Sequence, residues 1–376
     1  LNMRITIAGV FLLCLVLLAQ CRNGRRTFKL LVGTYTSSSE KDGIYVYEFD
    51  SKTGDIKFIS KVSGEDNPSY LAVSTDKKLV YAVNEVNDGK VSSFKFNHIT
   101  GELTFVNRVS SGGANPCYIS VDKRNKYVFT GNYGSGTLSA IPLNEDGSLS
   151  NDLQIIREEG SGIDMRRQKG PHVHCTVLSP DNNFLFTANL GTDKISAYRF
   201  EVSKSSNPLT PADPAFTLVE GGSGPRQFTF HPNGRFAYLI TELTGKIIAY
   251  DYMNGRLTEK QTIALASPDS EGRVDAADVH ISPDGSFLYG SSRGNLNEIV
   301  IYSLNRFGEM DPVGRQPTLG KTPRNFVIDP TGKFLLVANQ NSNEIIIFRR
   351  DHKTGLLTPA DKSIQVSQPV CLKFCY

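Results

Sequence analysis

The chain has no tryptophan and only four methionines among its 376 residues. Repeat proteins whose signature depends on a Trp-Asp pair are therefore disfavoured. A charge excess of one sign is also lacking, because 41 lysines and arginines face 38 aspartates and glutamates and leave a net charge of +3. Such a balance produces no overall field for nucleic acid, so we expect no nucleic-acid partner and any basic site must be local.

Several sequence signatures of metal and nucleophile chemistry are missing as well. The chain contains no P-loop, no HExxH and no GxSxG, and its six cysteines form no CxxC pair. His172 and His174 share one face of an extended segment, but no third histidine or acidic ligand follows at short spacing. We therefore predict neither a metal nor a cofactor, and we interpret Cys117, Cys175, Cys371 and Cys375 as buried apolar residues.

The N-terminus has the pattern of an export signal. Met3 and Arg4 precede an uncharged run over residues 5–19, which is the length of a signal-peptide hydrophobic region. The run ends in Leu-Ala-Gln-Cys, which resembles the bacterial lipobox and makes Cys21 the candidate lipidation site. Gln20 departs from the usual small residue, so an uncleaved anchor and an ordinary signal peptide stay open. We predict a leader over residues 1–21 and an exported lipoprotein anchored to a membrane by its N-terminal lipid.

Internal repeats predict the architecture of residues 22–376. Six segments align without gaps, each with a short strand, a turn and a second strand: 70–85, 118–133, 175–190, 227–242, 278–293 and 325–340. Their first residues lie 48, 57, 52, 51 and 47 positions apart, as expected for propeller blades of four strands. Turn sequences such as Ser282-Pro283-Asp284-Gly285 indicate hairpins.

The two ends of the chain supply a seventh repeat. Residues 28–50 contain a second and a third strand without a first, and residues 369–374 contain a first strand without successors. Pairing them closes the ring and removes exposed sheet edges. We predict an all-β, seven-bladed β-propeller in one domain, closed by N- and C-terminal strands in a shared last blade.

The same alignment predicts a cluster of polar residues. The first strand of a propeller blade lines the central channel and the second returns beside it, so the start of one and the end of the other share a face. Residues before the first strands are Ser69, Cys117, His174, Arg226, Ala277 and Arg324. Residues ending the second strands are Glu85, Tyr133, Leu190, Glu242, Arg293 and Gln340. These positions vary while their neighbours stay apolar or small, which indicates a site.

The residue types in this cluster favour an anion-binding hydrolytic pocket. Guanidinium groups bind carboxylates or phosphates bidentately, and a histidine beside a glutamate can activate water. Structural roles are the alternative. The two histidines would then hydrogen-bond the turn after Gly170-Pro171, and the arginines would form ion pairs with glutamates across the channel or carry solvated charge at its rim.

At these residues the sequence resembles the propeller lactonase family, which contains bacterial 6-phosphogluconolactonase and the fungal carboxy-cis,cis-muconate lactonising enzyme. The resemblance runs from about residue 30 to 374 and includes Gly170-Pro171-His172-Val173-His174, Gly224-Pro225-Arg226, Glu242-Leu243, Ser292-Arg293-Gly294, and Pro323-Arg324 with Asn339-Gln340. Gln227 replaces the family's usual histidine, and Asn189 replaces its usual aspartate. Both changes are expected to affect substrate preference.

The resemblance implies a metal-free enzyme that opens a sugar lactone. His174 would be the base, Glu242 its acid or orienting partner, and Arg293 a third catalytic residue. The implied substrate-binding residues are His172, Arg226, Arg324, Glu85 and Gln340. The implied substrate is 6-phospho-D-glucono-1,5-lactone, or an unphosphorylated aldonolactone if the protein is exported. A muconate-type lactonising enzyme and a non-catalytic anchored propeller that binds sugar acids or proteins are the alternatives, and we expect a monomer.

Overall fold

The computed structural model describes residues 27–36, 41–204, 206–266 and 274–376. The predicted leader and Cys21 lie outside the described residues. In chain order, the strands are β1 (Thr27–Thr34), β2 (Asp42–Asp50), β3 (Ile56–Ser63), β4 (Leu71–Val73), β5 (Leu79–Asn84), β6 (Lys90–Phe96), β7 (Leu103–Ser110), β8 (Pro116–Val121), β9 (Tyr127–Asn132), β10 (Thr137–Pro142), β11 (Gln154–Arg157), β12 (Val173–Leu178), β13 (Phe184–Asn189), β14 (Lys194–Phe200), β15 (Leu209–Leu218), β16 (Pro225–Phe230), β17 (Phe236–Thr241), β18 (Lys246–Met253), β19 (Arg256–Ala264), β20 (Ala276–Ile281), β21 (Phe287–Ser292), β22 (Glu298–Leu304), β23 (Met310–Pro317), β24 (Pro323–Ile328), β25 (Phe334–Asn339), β26 (Glu344–Arg350), β27 (Leu357–Gln365) and β28 (Pro369–Cys375).

These strands form seven antiparallel sheets of four, which confirms the predicted propeller. Blades 1 to 6 take consecutive groups of four strands from β4 to β27, and blade 7 has the order β28-β1-β2-β3. In blade 7, Leu30 of β1 pairs with Phe374 of β28, and Val32 pairs with Leu372. The two ends of the chain therefore share one sheet, as the repeat alignment predicted. One short 3-10 helix spans Gln340–Ser342.

Hydrophobic clusters fill the spaces between neighbouring blades. Phe49 of β2 lies 5.5 Å from Phe334 of β25 and 5.2 Å from Phe374 of β28, measured between ring centroids, and joins blades 6 and 7. The second strands β9, β13 and β25 are buried at every position, while the outer strands β3 and β27 are partly exposed along their length. Close packing on both faces holds the inner strands rigidly and positions the residues at their ends.

The hairpin turns follow the chemistry predicted from the sequence. In the turn between β20 and β21, Ser282 donates to Asp284 Oδ1 at 2.6 Å and Gly285 has a φ of +75°. A Cβ atom at Gly285 would lie 2.8 Å from the ring of His231, so both the backbone conformation and the space require glycine. His231 accordingly lies in a turn, as its place beside Pro232 suggested.

All four cysteines of the described region are buried free thiols, as the sequence predicted. The described residues contain no helix with the length and hydropathy to span a bilayer.

Candidate functional site at one end of the channel

One backbone hydrogen bond recurs in every blade and places the predicted site residues. The N–H of the residue that follows each second strand donates to a carbonyl just before the first strand, at 2.7 to 3.1 Å. The seven pairs are Glu85 to Asn67, Tyr133 to Asn115, Leu190 to His172, Glu242 to Gly224, Arg293 to Asp275, Gln340 to Thr322 and, in blade 7, Tyr35 to Gln368. The ungapped alignment therefore describes a real ring of equivalent positions.

A β-bulge at the start of the first strand directs the side chains of the second set of predicted residues, those that precede the first strands in the repeat alignment. In blade 4, Pro225 pairs with Thr241 and Gln227 with Ile240, so Arg226 has no single partner on β17. The same shift isolates Cys117, His174 and Arg324 in blades 2, 3 and 6. Bulges re-aim side chains and are common beside active sites.

Residues of these two sets, before the first strands and after the second strands, line a cavity of about 230 Å³. Its lining residues are Glu85, Cys117, Tyr133, Arg167, His174, Glu242, Asp275, Arg293 and Arg324. Five of the eight residues predicted for catalysis or binding therefore lie together. Arg226 contacts Glu242 without belonging to the lining, and His172 and Gln340 also lie outside it.

Glu242 is the electrostatic centre of the cavity. Its Oε2 accepts from Arg226 Nε at 2.8 Å and lies 3.1 Å from Arg293 Nη2, while its Oε1 accepts from Arg167 Nη2. Burial opposes ionisation of this carboxyl, but the charges of Arg293, Arg226 and Arg167 outweigh that effect and hold its pKa well below the usual range. Glu242 is therefore a carboxylate at neutral pH and can only accept hydrogen bonds.

Two of its arginine partners are themselves buried. Arg226 is 1% exposed and also donates to the carbonyl oxygen of Ala277. Arg293 donates to Asp275 Oδ1 at 2.8 Å and to the backbone carbonyl of the same residue at 3.2 Å. Burial and the neighbouring Arg226 lower the pKa of Arg293 to about 10, which leaves it protonated at neutral pH. Both guanidiniums are thus fixed cations.

His174 is an uncharged base beside these cations. It is 4% exposed, and burial together with Arg226 lowers its pKa well below 6.5. Its ring meets the Tyr133 ring edge-on at 5.7 Å between centroids. No atom of the described chain hydrogen-bonds its buried Nδ1, so this side chain does not serve to satisfy a turn.

His172 lies outside the cavity lining. Its Nδ1 lies 2.8 Å from the carbonyl oxygen of Tyr133, and its ring stacks on the Tyr133 ring at 4.4 Å between centroids. Its N–H donates to Asn189 Oδ1 at 2.8 Å. The two histidines therefore share Tyr133 as a neighbour, but only His174 faces the cavity.

A second carboxylate lies on the blade 1 side of the cavity. Glu85 accepts from Tyr35 Oη at 2.9 Å and from Ser69 Oγ, and it lies 3.9 Å from Arg324 Nη2. Arg324 stands over the Tyr35 ring at 5.3 Å. The pKa of Tyr35 is raised by burial and by Glu85, so its hydroxyl stays a donor. Arg324 and Glu85 therefore form a long ion pair, of the kind that the structural alternative described for arginines and glutamates across the channel.

Sequence reasoning missed Arg167, Asp275 and Tyr35. Arg167 lies in the β11–β12 loop, and the 57-residue spacing of that repeat, longer than the others, was the signal for an insertion there. Tyr35 follows Thr34 at the end of the second strand in blade 7, which the six-segment alignment did not include.

The two departures from the family pattern, Asn189 and Gln227, lie outside the cavity lining. Asn189 donates to Glu158 Oε2 at 2.6 Å and does not line the cavity. A buried glutamate therefore accounts for asparagine at this position, since an aspartate would place two carboxylates in contact. Gln227 of β16 pairs with Ile240 of β17 and is not among the lining residues.

No cluster of three or more metal-ligating side chains occurs in the described part of the chain. The arrangement can bind an anion beside an uncharged base, and an ordered set of cations faces the space where negative charge would develop on a substrate oxygen.

Comparisons with known proteins extend over nearly the same residues. The chain matches the family model of the seven-bladed β-propeller lactonases from residue 29 to 374. A 6-phosphogluconolactonase of Formosa agariphila is 39% identical over 344 residues, which cover 90% of this chain and 97% of the relative. A 6-phosphogluconolactonase of Bacillus subtilis is 33% identical over 353 residues, with coverages of 92% and 97%. The solved periplasmic gluconolactonase of Pseudomonas aeruginosa has a TM-score of 0.88 at 36% identity, covering 93% of this chain and 99% of that one.

Proposed function

The chain belongs to the seven-bladed β-propeller lactonase family, and on that premise we propose that it hydrolyses a sugar lactone to the open-chain acid. The relatives named 6-phosphogluconolactonase make 6-phospho-D-glucono-1,5-lactone the first substrate to test, with an unphosphorylated aldonolactone as the second. The observation that carries the proposal is one cavity that holds the uncharged His174 beside fixed guanidinium groups.

His174 acts as the general base in this proposal. It takes a proton from water while the water oxygen bonds to the lactone carbonyl carbon. Its lowered pKa keeps it free to do so at neutral pH. His172 cannot take this part as readily, because its ring is stacked on Tyr133 and its Nδ1 is engaged by a carbonyl.

The arginines stabilise the charge that forms on the carbonyl oxygen. Arg293 and Arg324 both line the cavity, and a preorganised cation near a developing oxyanion lowers the barrier without reorganisation. When the ring C–O bond breaks, the departing oxygen takes the proton from the imidazolium of His174. One water is consumed, and the acid and the hydroxyl group are the products.

Glu242 orients rather than protonates. The family resemblance makes Glu242 either an acid or an orienting partner of His174. Because it is ionised and held by three arginines, we assign it the orienting role: it fixes the guanidiniums and stabilises the imidazolium of His174 during turnover. The binding surface is then held in place by neighbouring side chains, those of Arg226, Glu85 and His172. The case for Gln340 as a binding residue is the weakest, because Gln340 lies outside the lining.

We further propose that the protein is exported as a monomer and anchored through a lipid on Cys21. The signal-like run over residues 5–19 supports export, and the periplasmic relative of Pseudomonas aeruginosa is consistent with it. Metabolic labelling with a radioactive fatty acid tests the anchor: Cys21→Ala should abolish the label, and a wild-type chain without label would reject it. Sedimentation of the detergent-solubilised protein tests the monomer.

Hydrolysis is tested directly with the purified protein lacking residues 1–21. It should open either lactone faster than buffer alone, and His174→Ala should remove that gain while His172→Ala retains most of it. Binding of the lactones without turnover would instead support the non-catalytic propeller.

A further inference from the structure

The β11–β12 loop holds Arg167 in the lining of the cavity in a fixed position. Gln168, which is fully buried, donates through Nε2 to the Leu190 carbonyl at 2.8 Å and to Asp193 Oδ1 at 2.8 Å. The same side chain accepts from the Asp164 N–H at 3.0 Å. The loop is therefore tied to blade 3 by the residue next to Arg167, and the arginine needs no loop closure to reach the cavity.

The charges around the cavity do not balance. Arg167, Arg293 and Arg324 line the cavity together with Glu85, Glu242 and Asp275, and the buried Arg226, which is bonded to Glu242 but lies outside the lining, adds a fourth guanidinium to this cluster of three carboxylates. Because His174 is uncharged, one positive charge is left without a partner. A cavity with one excess cation favours an anionic ligand.

Arg167 is the arginine with the most bonding capacity left for such a ligand. Its hydrogen bonds to Glu242 Oε1 and to Tyr133 Oη, the second at 3.3 Å, are both donated by Nη2. Nε and Nη1 have no hydrogen-bond partner among the described residues, and the side chain is 31% exposed. Arg226 and Arg293, by contrast, are buried and also bonded to backbone carbonyls.

We infer that Arg167 is a specificity-determining residue that binds an anionic phosphoryl group on the lactone. The inference rests on the proposed lactonase function and deepens it. Arg167 is the most exposed of the four arginines, so its guanidinium fork suits the end of the substrate remote from the carbonyl, with the phosphomonoester at the solvent-exposed side of the site while the lactone ring reaches His174. Arg167 thereby separates phosphorylated from unphosphorylated lactones.

The test compares two substrates in the full-length, detergent-solubilised protein. Arg167→Gln should lower the ratio of kcat/KM for 6-phosphogluconolactone over gluconolactone by about 10- to 100-fold, the range for a charge-assisted hydrogen bond, mainly through KM. Arg166→Gln is the matched control. Arg166 is 91% exposed and forms an ion pair with Asp164 of the same loop, so this substitution should leave the ratio of the two kcat/KM values unchanged. Inorganic phosphate should inhibit the hydrolysis of gluconolactone by the wild type. Its inhibition of the Arg167→Gln variant should be weaker.

Three other outcomes would overturn either the inference alone or the proposed function together with it. An equal loss on both lactones would overturn the inference, because Arg167 would then act only through Glu242. A wild type that opens gluconolactone and not the phosphorylated lactone would also overturn it, while leaving the lactonase function intact. A wild type that opens neither would overturn the proposed function and this inference with it.

Discussion

Arg226 Nε donates to Glu242 Oε2 at 2.8 Å, and both side chains are almost fully excluded from solvent. Arg226 lies at a bulge in β16 and Glu242 directly follows β17, so the pair depends on the offset that the bulge introduces. The carboxylate also receives Arg293 and Arg167. The charge cluster is therefore asymmetric, with one anion shared among three cations.

That asymmetry predicts unequal effects on stability. Glu242→Gln should lower the free energy of unfolding by about 3–5 kcal/mol, because it leaves buried guanidiniums without their shared carboxylate. Arg226→Gln should cost less, because Glu242 keeps two cations. Urea unfolding followed by fluorescence measures both. Glu201→Gln, in an exposed ion pair with Lys204, is the control and should change stability by less than about 1 kcal/mol. Equal losses for the two buried variants would contradict the asymmetry.

The pH dependence of hydrolysis should follow His174. Because burial and Arg226 lower its pKa below 6.5, the enzyme-catalysed rate should stay constant from pH 8 to 6.5 and fall only at lower pH. Initial rates corrected for buffer-catalysed opening at each pH provide the measurement. A midpoint above pH 6.5 would show that another group controls the rate.

The same histidine should make stability depend on pH. Its native pKa is lowered, so as pH falls below about 6.5 the unfolded chain takes up a proton that the native chain does not, and the native state loses stability. Wild type should therefore lose up to about 1.4 kcal/mol per pH unit more than His174→Gln between pH 6.5 and 5.5. His98→Gln, at an exposed position, should follow wild type in urea unfolding at each pH. Parallel pH curves for wild type and His174→Gln would refute the assignment.

The contact between Asn189 and Glu158 gives a further prediction. Asn189→Asp places a second carboxylate against Glu158 in a buried site, and it should cost about 2–4 kcal/mol at pH 7 and less at pH 5, where one carboxyl can take a proton. Asn339→Asp is the matched control in blade 6, where the amide donates to the Thr318 carbonyl at 3.0 Å. Thermal unfolding at the two pH values separates these effects. A loss that is equal in the two variants and independent of pH would rule out carboxylate repulsion.

Much of the fold was predictable because the repeat is written into local patterns. Hairpin turns with proline and glycine recur at near-constant spacing, and the residues between them have the periodicity of buried strands. Comparison with the six complete segments showed that the N-terminal repeat lacks a first strand, which the C-terminal strand supplies to blade 7. The same register brought His174, Glu242, Arg293, Arg324 and Glu85 to one cavity.

The site was less predictable where it departs from the repeat. Arg167 comes from a loop with no periodicity, so the alignment could not assign it a place. The sequence placed His172 and His174 on one face, but it could not distinguish stacking on Tyr133 from exposure to the cavity, because both depend on a residue from another blade. Gln340 shares a column with Glu242 and yet begins a 3-10 turn outside the lining.

By itself, the sequence determined the number of blades, the closure of the ring and the set of positions that meet at one mouth of the channel, since these follow from spacing and alternation along the chain. Only the tertiary structure decided which carboxylate holds which arginines, that burial keeps His174 uncharged, and which arginine is left open to a ligand. Those properties arise from burial and from charges brought together by distant segments, and neither can be read from local pattern.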